Sequence, residues 1–185
     1  MIDLALEAPD TIFLATDEAW MYLQATTMAV WSLRGVTPVV RVVPNRQKVG
    51  FYGTLDLKTG QELVTRTTEF NSFTTTRHLE LILERYDDLK ILLFWDRAPW
   101  HGGDPVEALL AAHPRLDIVR FPVAAPDLNP QEQVWKQTRR AVSHNHLLPK
   151  LEPLADEFEQ YLKTNTFRTN FLERYGYHLV CPFLN

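Results

Sequence analysis

Up to about residue 70 the apolar positions come in short β-branched and aromatic runs, broken by turn residues. Residues 11–16 form one such run, which ends at Asp17-Glu18. Residues 21–33 have the same composition and stop at Arg34-Gly35. Residues 39–43 are too short for a helix and precede the turn signal Pro44-Asn45. Residues 48–57 and 62–70 flank the turn Lys58-Thr59-Gly60. Together these runs predict an antiparallel meander of roughly three to five strands.

Beyond that point the period changes. Leu79, Ile82, Leu83 and Tyr86 fall at helical spacing within residues 75–86. Residues 90–95 are a continuous apolar run, the pattern of a strand buried on both faces, and Asp96 follows at once. Asp104-Pro105 opens a helix that puts Val106, Leu109 and Leu110 on one face, and Pro114 ends it. Residues 116–121 predict a fifth strand. Asn129-Pro130 opens a helix to about His144, and residues 151–163 and 166–175 predict two more. The expected class is α/β: a ribonuclease H-like mixed five-stranded sheet flanked by helices, forming one domain over residues 1–185.

Composition narrows the function classes. The chain has 185 residues and 45% hydrophobic content, enough for one core. Its net charge of −4 argues against a domain that grips DNA by charge alone. It leaves room for a nuclease, because bound divalent cations add positive charge that the count omits. The one cysteine, Cys181, offers neither a disulfide framework nor a zinc-finger spacing. Neither a signal-peptide pattern nor an apolar run of ~18 residues is present, so the expectation is a protein of the bacterial cytosol with no membrane contact.

Three acids carry the candidate chemistry. Asp17 and Asp96 each end an expected strand, and ligands of such sheets gather beyond strand ends. Side by side, the two carboxylates would repel unless a cation sat between them. Magnesium takes one or two carboxylates with water and phosphate oxygens, and a pair of such ions can drive in-line phosphoryl displacement. Asp96 equally fits a strand-end residue that caps the next turn, and Asp17 taken alone fits a purely structural residue somewhat better than a ligand. Glu18 should point to the opposite side of the strand, as a solvated or structural residue. Glu132 sits three residues after Asn129, which also fits a capping box. On its helix face follow Lys136, Arg139 and Arg140, either phosphate-binding cations or a solvated face with i,i+4 pairs.

The stretch Ala125-Pro126-Asp127-Leu128-Asn129-Pro130-Gln131-Glu132-Gln133-Val134-Trp135 resembles the signature around the third acid of mariner-like DDE transposases, in their bacterial insertion-sequence branch. Leu93-Phe94-Trp95-Asp96-Arg97-Ala98-Pro99-Trp100-His101 is similar to the segment around their second acid, and Asp17-Glu18-Ala19 to that at the first. The interval between Asp96 and Glu132 is within that family's habit. The resemblance implies Asp17, Asp96 and Glu132 as catalytic metal ligands for two Mg²⁺ (or Mn²⁺) ions. It implies metal-dependent cleavage and strand transfer of transposon DNA, with transposon ends and target DNA as partners and a homodimer in the synaptic complex. His101 is expected near the site, against DNA or beside a ligand, or as a surface loop residue. Asp127 and Asn129 are expected to shape the loop and cap the helix.

Two departures stand out. Arg97 follows the second acid where many relatives have asparagine, and it is expected to touch phosphate or lie exposed. No helix-turn-helix module fits ahead of the first expected strand, so an upstream helix-turn-helix protein is a possible partner. Two other function classes share parts of this pattern: a non-catalytic or split transposase-derived assembly module, and a ribonuclease H-like nuclease with another substrate.

Overall fold

The computed structural model describes residues 10–39, 41, 44–122 and 126–176. Cys181 and part of the 39–43 run lie outside the described residues. Five strands make one sheet: β1 (Thr11–Tyr22), β2 (Lys48–Asp56), β3 (Glu62–Thr67), β4 (Lys90–Trp95) and β5 (Leu116–Arg120). Their order is β3-β2-β1-β4-β5. The first three pair antiparallel, and β4 and β5 add in parallel. The helices are α1 (Ser72–Arg85), α2 (Asp104–Ala112), α3 (Gln131–Thr138) and α4 (Leu151–Thr164). The expected mixed five-stranded sheet is therefore present.

Alternation along the strands divides the core in two. Phe13, Ala15, Ala19 and Met21 of β1 join Phe51, Leu55, Val134, Trp135, Leu154 and Phe158 on the face covered by α3 and α4. Leu14 joins Leu79, Ile82, Leu83, Val106 and Leu109 on the face covered by α1 and α2. β4 serves both cores, with Leu92 and Phe94 on one side and Ile91, Leu93 and Trp95 on the other. That is why its apolar run is unbroken. Each such side chain contributes about 1.5–3 kcal/mol on burial.

Local signals set the helix boundaries. Asn71 caps α1: its Oδ1 accepts from the Thr74 N–H at 2.9 Å, and the Thr74 hydroxyl accepts from the Asn71 N–H at 3.1 Å. Past α3 the chain widens into a π turn, Arg139–Ser143, closed by the His144 N–H on the Arg139 carbonyl at 2.9 Å.

Two expectations are corrected. The β-like composition of residues 21–33 yields no strand beyond Tyr22, apart from one bridge between Thr26 and His144. The segment joins neither edge strand of the sheet, β3 or β5. Residues 166–175 do not form a helix of that length. They run irregularly over the α3/α4 face, bury Phe167 and Phe171, and end in a π turn, Leu172–Gly176. Among the described residues no helix is long and apolar enough to cross a membrane.

Candidate active site

β1 pairs with β4 only as far as Ala15 opposite Phe94. Continued by two residues, that register sets Asp17 level with Asp96, the first residue after β4. β1 itself runs on against β2 to Tyr22, with Asp17 opposite Gly53. Asp17 is thus an inner strand residue and not the strand end that the sequence suggested. It faces α3, where its Oδ2 accepts from Trp135 Nε1 at 3.1 Å. Burial pushes its carboxyl up to about 8, and the charges of Glu18, Glu132 and Asp96 add to the shift. A hydrogen bond from the Glu18 backbone opposes it.

Glu18, one residue on, points to the α1/α2 face. It is buried there, with its Oε1 accepting from His101 Nε2 at 2.8 Å. The other ring nitrogen of His101 donates to Asp96 Oδ1 at 2.8 Å. With a carboxylate on each nitrogen, the imidazole is held as the cation. Burial works against that charge, but both hydrogen bonds and both carboxylates outweigh it and leave the His101 pKa raised. Partial burial likewise works to raise Asp96. The bonds from His101 and from the Ala98 N–H, with the nearby charges of His101 and Arg120, win and hold it below the usual carboxylate range. Of the places expected for His101, the structure fits the one beside a ligand and not the one against DNA or on a surface loop: its side chain is 0% exposed, and it serves Glu18 and Asp96.

Glu132 lies on the exposed side of the first turn of α3. The capping box is not formed, since Pro130 occupies the cap with no side-chain cap bond. Asn129 does other work. Its Oδ1 accepts from the Gln131 N–H at 3.1 Å, and its amide donates to the Thr16 carbonyl at 3.4 Å. The helix that carries Glu132 is thereby tied to the residue beside Asp17. Lys136 and Arg140 are exposed, while Arg139 is half-buried at the start of the π turn. Arg97 is exposed, with its Nε 3.5 Å from the Phe121 carbonyl.

Sequence reasoning did not foresee the bond from Trp135 to Asp17 and passed over Arg120. Arg120 donates to the Asp96 carbonyl at 3.0 Å and the His101 carbonyl at 3.2 Å, and lies 5.2 Å from the Trp95 ring. It clamps the turn that presents Asp96. Only its place at the end of β5, next to β4, hinted at this.

Among the described residues no group of three or more His, Cys, Asp or Glu is gathered closely enough to hold a metal ion as the side chains stand. The donor set nevertheless fits a hard divalent cation. It consists of carboxylate oxygens, and the Asp17 carboxyl is held near neutrality by burial and acidic neighbours, the repulsion that a cation relieves.

Comparison with known proteins places the chain in a family and its fold among known ones. The family model of the DDE superfamily endonuclease matches residues 13–155, well over half of the chain. The fold is similar to that of the Mos1 transposase paired-end complex with left transposon end, with a TM-score of 0.69 and 14% identity over 91% of this chain and 55% of that one. The mariner Mos1 paired-end complex with Mg superposes with a TM-score of 0.65 and 16% identity, over 92% of this chain and 55% of that one. The isolated catalytic domain of Mos1 mariner transposase gives 0.61 and 14%, over 91% and 81%. The chain therefore spans about half the length of the Mos1 chains in those complexes and most of their catalytic domain. At such identities the likeness is one of fold, and it bears out the ribonuclease H-like sheet. No curated protein matches the chain in sequence. The residues that carry the expected signature, Asp96 and Glu132 among them, lie within the matched segment, and the chain belongs to the DDE superfamily endonuclease family.

Proposed function

We propose that this chain is the catalytic domain of a DNA transposase, with Asp17, Asp96 and Glu132 as the ligands of two divalent ions, Mg²⁺ or Mn²⁺. One observation carries the reading: acids from β1, the end of β4 and α3 lie near one another, so that the charges of Glu132 and Asp96 add to the rise, chiefly from burial and then from Glu18, that pushes Asp17 up to about 8. The bound ions supply Lewis acidity for in-line attack on a phosphodiester. The protein's own groups orient the ligands. His101 and the Ala98 N–H hold Asp96, Trp135 holds Asp17, and Asn129 ties α3 to β1. Arg97, Lys136, Arg139 and Arg140 would meet phosphates along the DNA.

Transposon ends and target DNA are the proposed substrates, and cleavage is followed by attack of the freed 3′-hydroxyl on the target. The 185 residues act as one catalytic domain, with reading of the ends aided by a helix-turn-helix protein. A homodimer would bring two ends together. Val30, Trp31, Leu33 and Val39 are exposed on one segment, and such apolar surface is the kind that oligomers bury.

The test is cleavage and strand transfer on DNA carrying the element's own ends, with the upstream protein present. Asp96→Ala and Asp17→Asn serve as controls. Joining should require Mg²⁺ or Mn²⁺ and fall by about a thousandfold in either variant, the loss of several kcal/mol of metal-borne stabilisation. A folded protein that cleaves nothing with either ion would leave an assembly module as the better reading. Cleavage without end preference or joining would leave a nuclease.

A further inference from the structure

Behind Asp17 lies an acid that the site described above does not use. Glu62, on β3, is 8% exposed, and Gln131, the first residue of α3, is fully buried. Gln131 Nε2 donates to Glu62 Oε1. The other two oxygens, Glu62 Oε2 and Gln131 Oε1, are both buried and have no hydrogen-bond partner. Two buried acceptors without a donor are expensive, at about 1–3 kcal/mol each. A single proton on Glu62 Oε2 would satisfy both: donated to Gln131 Oε1, it would close a cyclic acid–amide pair with two hydrogen bonds.

The surroundings agree. Burial drives the Glu62 carboxyl well above its ordinary range and the Asp17 charge adds to this, while the bond from Gln131 opposes it. Gly53, opposite Asp17 in the sheet, makes the space: a Cβ there would overlap Gln131 Nε2, Glu62 Oε1 and the Trp135 ring. The pair thus joins β3 to the first turn of α3. Glu132 is the next residue, and one turn further on is Trp135, whose indole donates to Asp17.

We propose that Glu62, carrying a proton, is a positioning residue of the site: its cyclic pair with Gln131 fixes the first turn of α3 and so aims Glu132 and the Trp135 indole at Asp17. The role in aiming rests on the metal-site reading above; the protonated pair itself does not.

The pair makes an unusual demand of its variants. Glu62→Gln retains both hydrogen bonds, because the new amide N–H donates where the acid O–H did. Glu62→Ala and Gln131→Ala break them. Two measurements on the full chain decide. The first is the infrared difference spectrum, wild type minus Glu62→Gln, of metal-free protein at neutral pH. It should show the carbonyl stretch of a protonated carboxyl, and its absence overturns the proposal. The second is Mn²⁺ binding followed by water-proton relaxation, with folding checked by circular dichroism. Glu62→Gln should bind within about twofold of wild type, whereas the alanine variants should need about tenfold more Mn²⁺, the loss of one net hydrogen bond. A Glu62→Gln variant as weak as Glu62→Ala would mean that charge matters, and unchanged binding in a folded Glu62→Ala would mean mere packing; both overturn the proposal. Should the alanine variants fail to fold, Glu62→Gln and the infrared band decide alone. A wild type that shows the band but binds no Mn²⁺ would sink the metal-site reading and leave the protonated pair standing.

Discussion

The two faces of the sheet treat buried charge in opposite ways. On the α1/α2 face, Glu18 and Asp96 share the His101 imidazolium, and Asp96 gains the Ala98 N–H as well. The same face holds His78, whose bonding is fully determined. The Thr54 hydroxyl donates to Thr16, so it accepts from His78 Nε2–H, and Nδ1 is left to accept from the Thr65 hydroxyl. On the α3/α4 face, by contrast, the acids meet neutral donors: the Trp135 indole for Asp17 and the Gln131 amide for Glu62. Burial, with no counter-charge to offset it, pushes both carboxyls up. One face is electrostatically complete as it stands. On the other the acids lack a counter-charge, and the ions proposed above would supply one where Asp17 meets Asp96 and Glu132.

The largest effect should come from breaking the complete face. His101→Ala leaves Glu18, with its side chain 4% exposed, without its partner. A buried charge stripped of its counter-ion costs about 3–5 kcal/mol, read as a shift in the urea midpoint. The double variant Glu18→Gln with His101→Ala should recover much of that loss, because the orphaned charge goes with it. A silent single variant would show that this face is not held by charge pairing.

Gly53→Ala probes the other face next. The added Cβ runs into Gln131, Glu62 and Trp135 together, and overpacking of this kind costs about 1–3 kcal/mol. Gly102→Ala is the control: a Cβ there meets nothing within 4 Å, and its melting temperature should match wild type. If Gly53→Ala melted with the control, the close approach of α3 to β1 and β2 would be wrong.

His78 gives a pH signature. Burial depresses its pKa from 6.5 to about 3. The folded protein keeps the ring neutral, whereas the unfolded chain takes up a proton below 6.5. The stabilisation is therefore fully present above pH 6.5 and is lost progressively as the pH falls toward 3. Between about pH 7 and pH 5 it should amount to about 2 kcal/mol, seen as a slope in urea stability that His78→Gln flattens. An unchanged slope in the variant would mean that the ring is not held neutral.

The contrast between the faces was only half legible in the sequence. β4 could be read because burial on both sides demands an unbroken apolar run, and Asp96 because it closes that run. α1 announced itself through its period, and the helix from Gln131 through the Asn129-Pro130 pair ahead of it. Residues 21–33 misled because β-propensity reports a fit to a pleated surface, and here the segment packs on neither edge of the sheet; Trp31 ends up fully exposed. Alternation correctly sent Glu18 to the face opposite Asp17. What awaits it there, His101, lies 83 residues away along the chain, and no local pattern encodes the meeting. Glu62 and Gln131 are 69 residues apart and each looks like an ordinary surface polar residue, so their burial appears only once α3 is laid across β2 and β3.

The smallest predicted effect is the sharpest for function. Trp135→Phe keeps an aromatic ring against Phe158, where the two rings now stack at 6.4 Å between centroids. It removes the Nε1–H that holds Asp17 Oδ2. One net hydrogen bond is worth about 1 kcal/mol, so the carboxylate should lose its preferred setting without loss of the fold. Because that setting is fixed before any ion arrives, the change should appear in metal affinity: about a fivefold rise in half-saturating Mn²⁺, with little change in the cleavage rate at saturation. A rate loss at saturating ion with unchanged affinity would mean instead that the indole acts on the reaction after the ion is bound. Its bond to Asp17 would then be a feature of the ion-free protein alone, and the α3/α4 face would owe its metal affinity to the acids without help from their neutral donors.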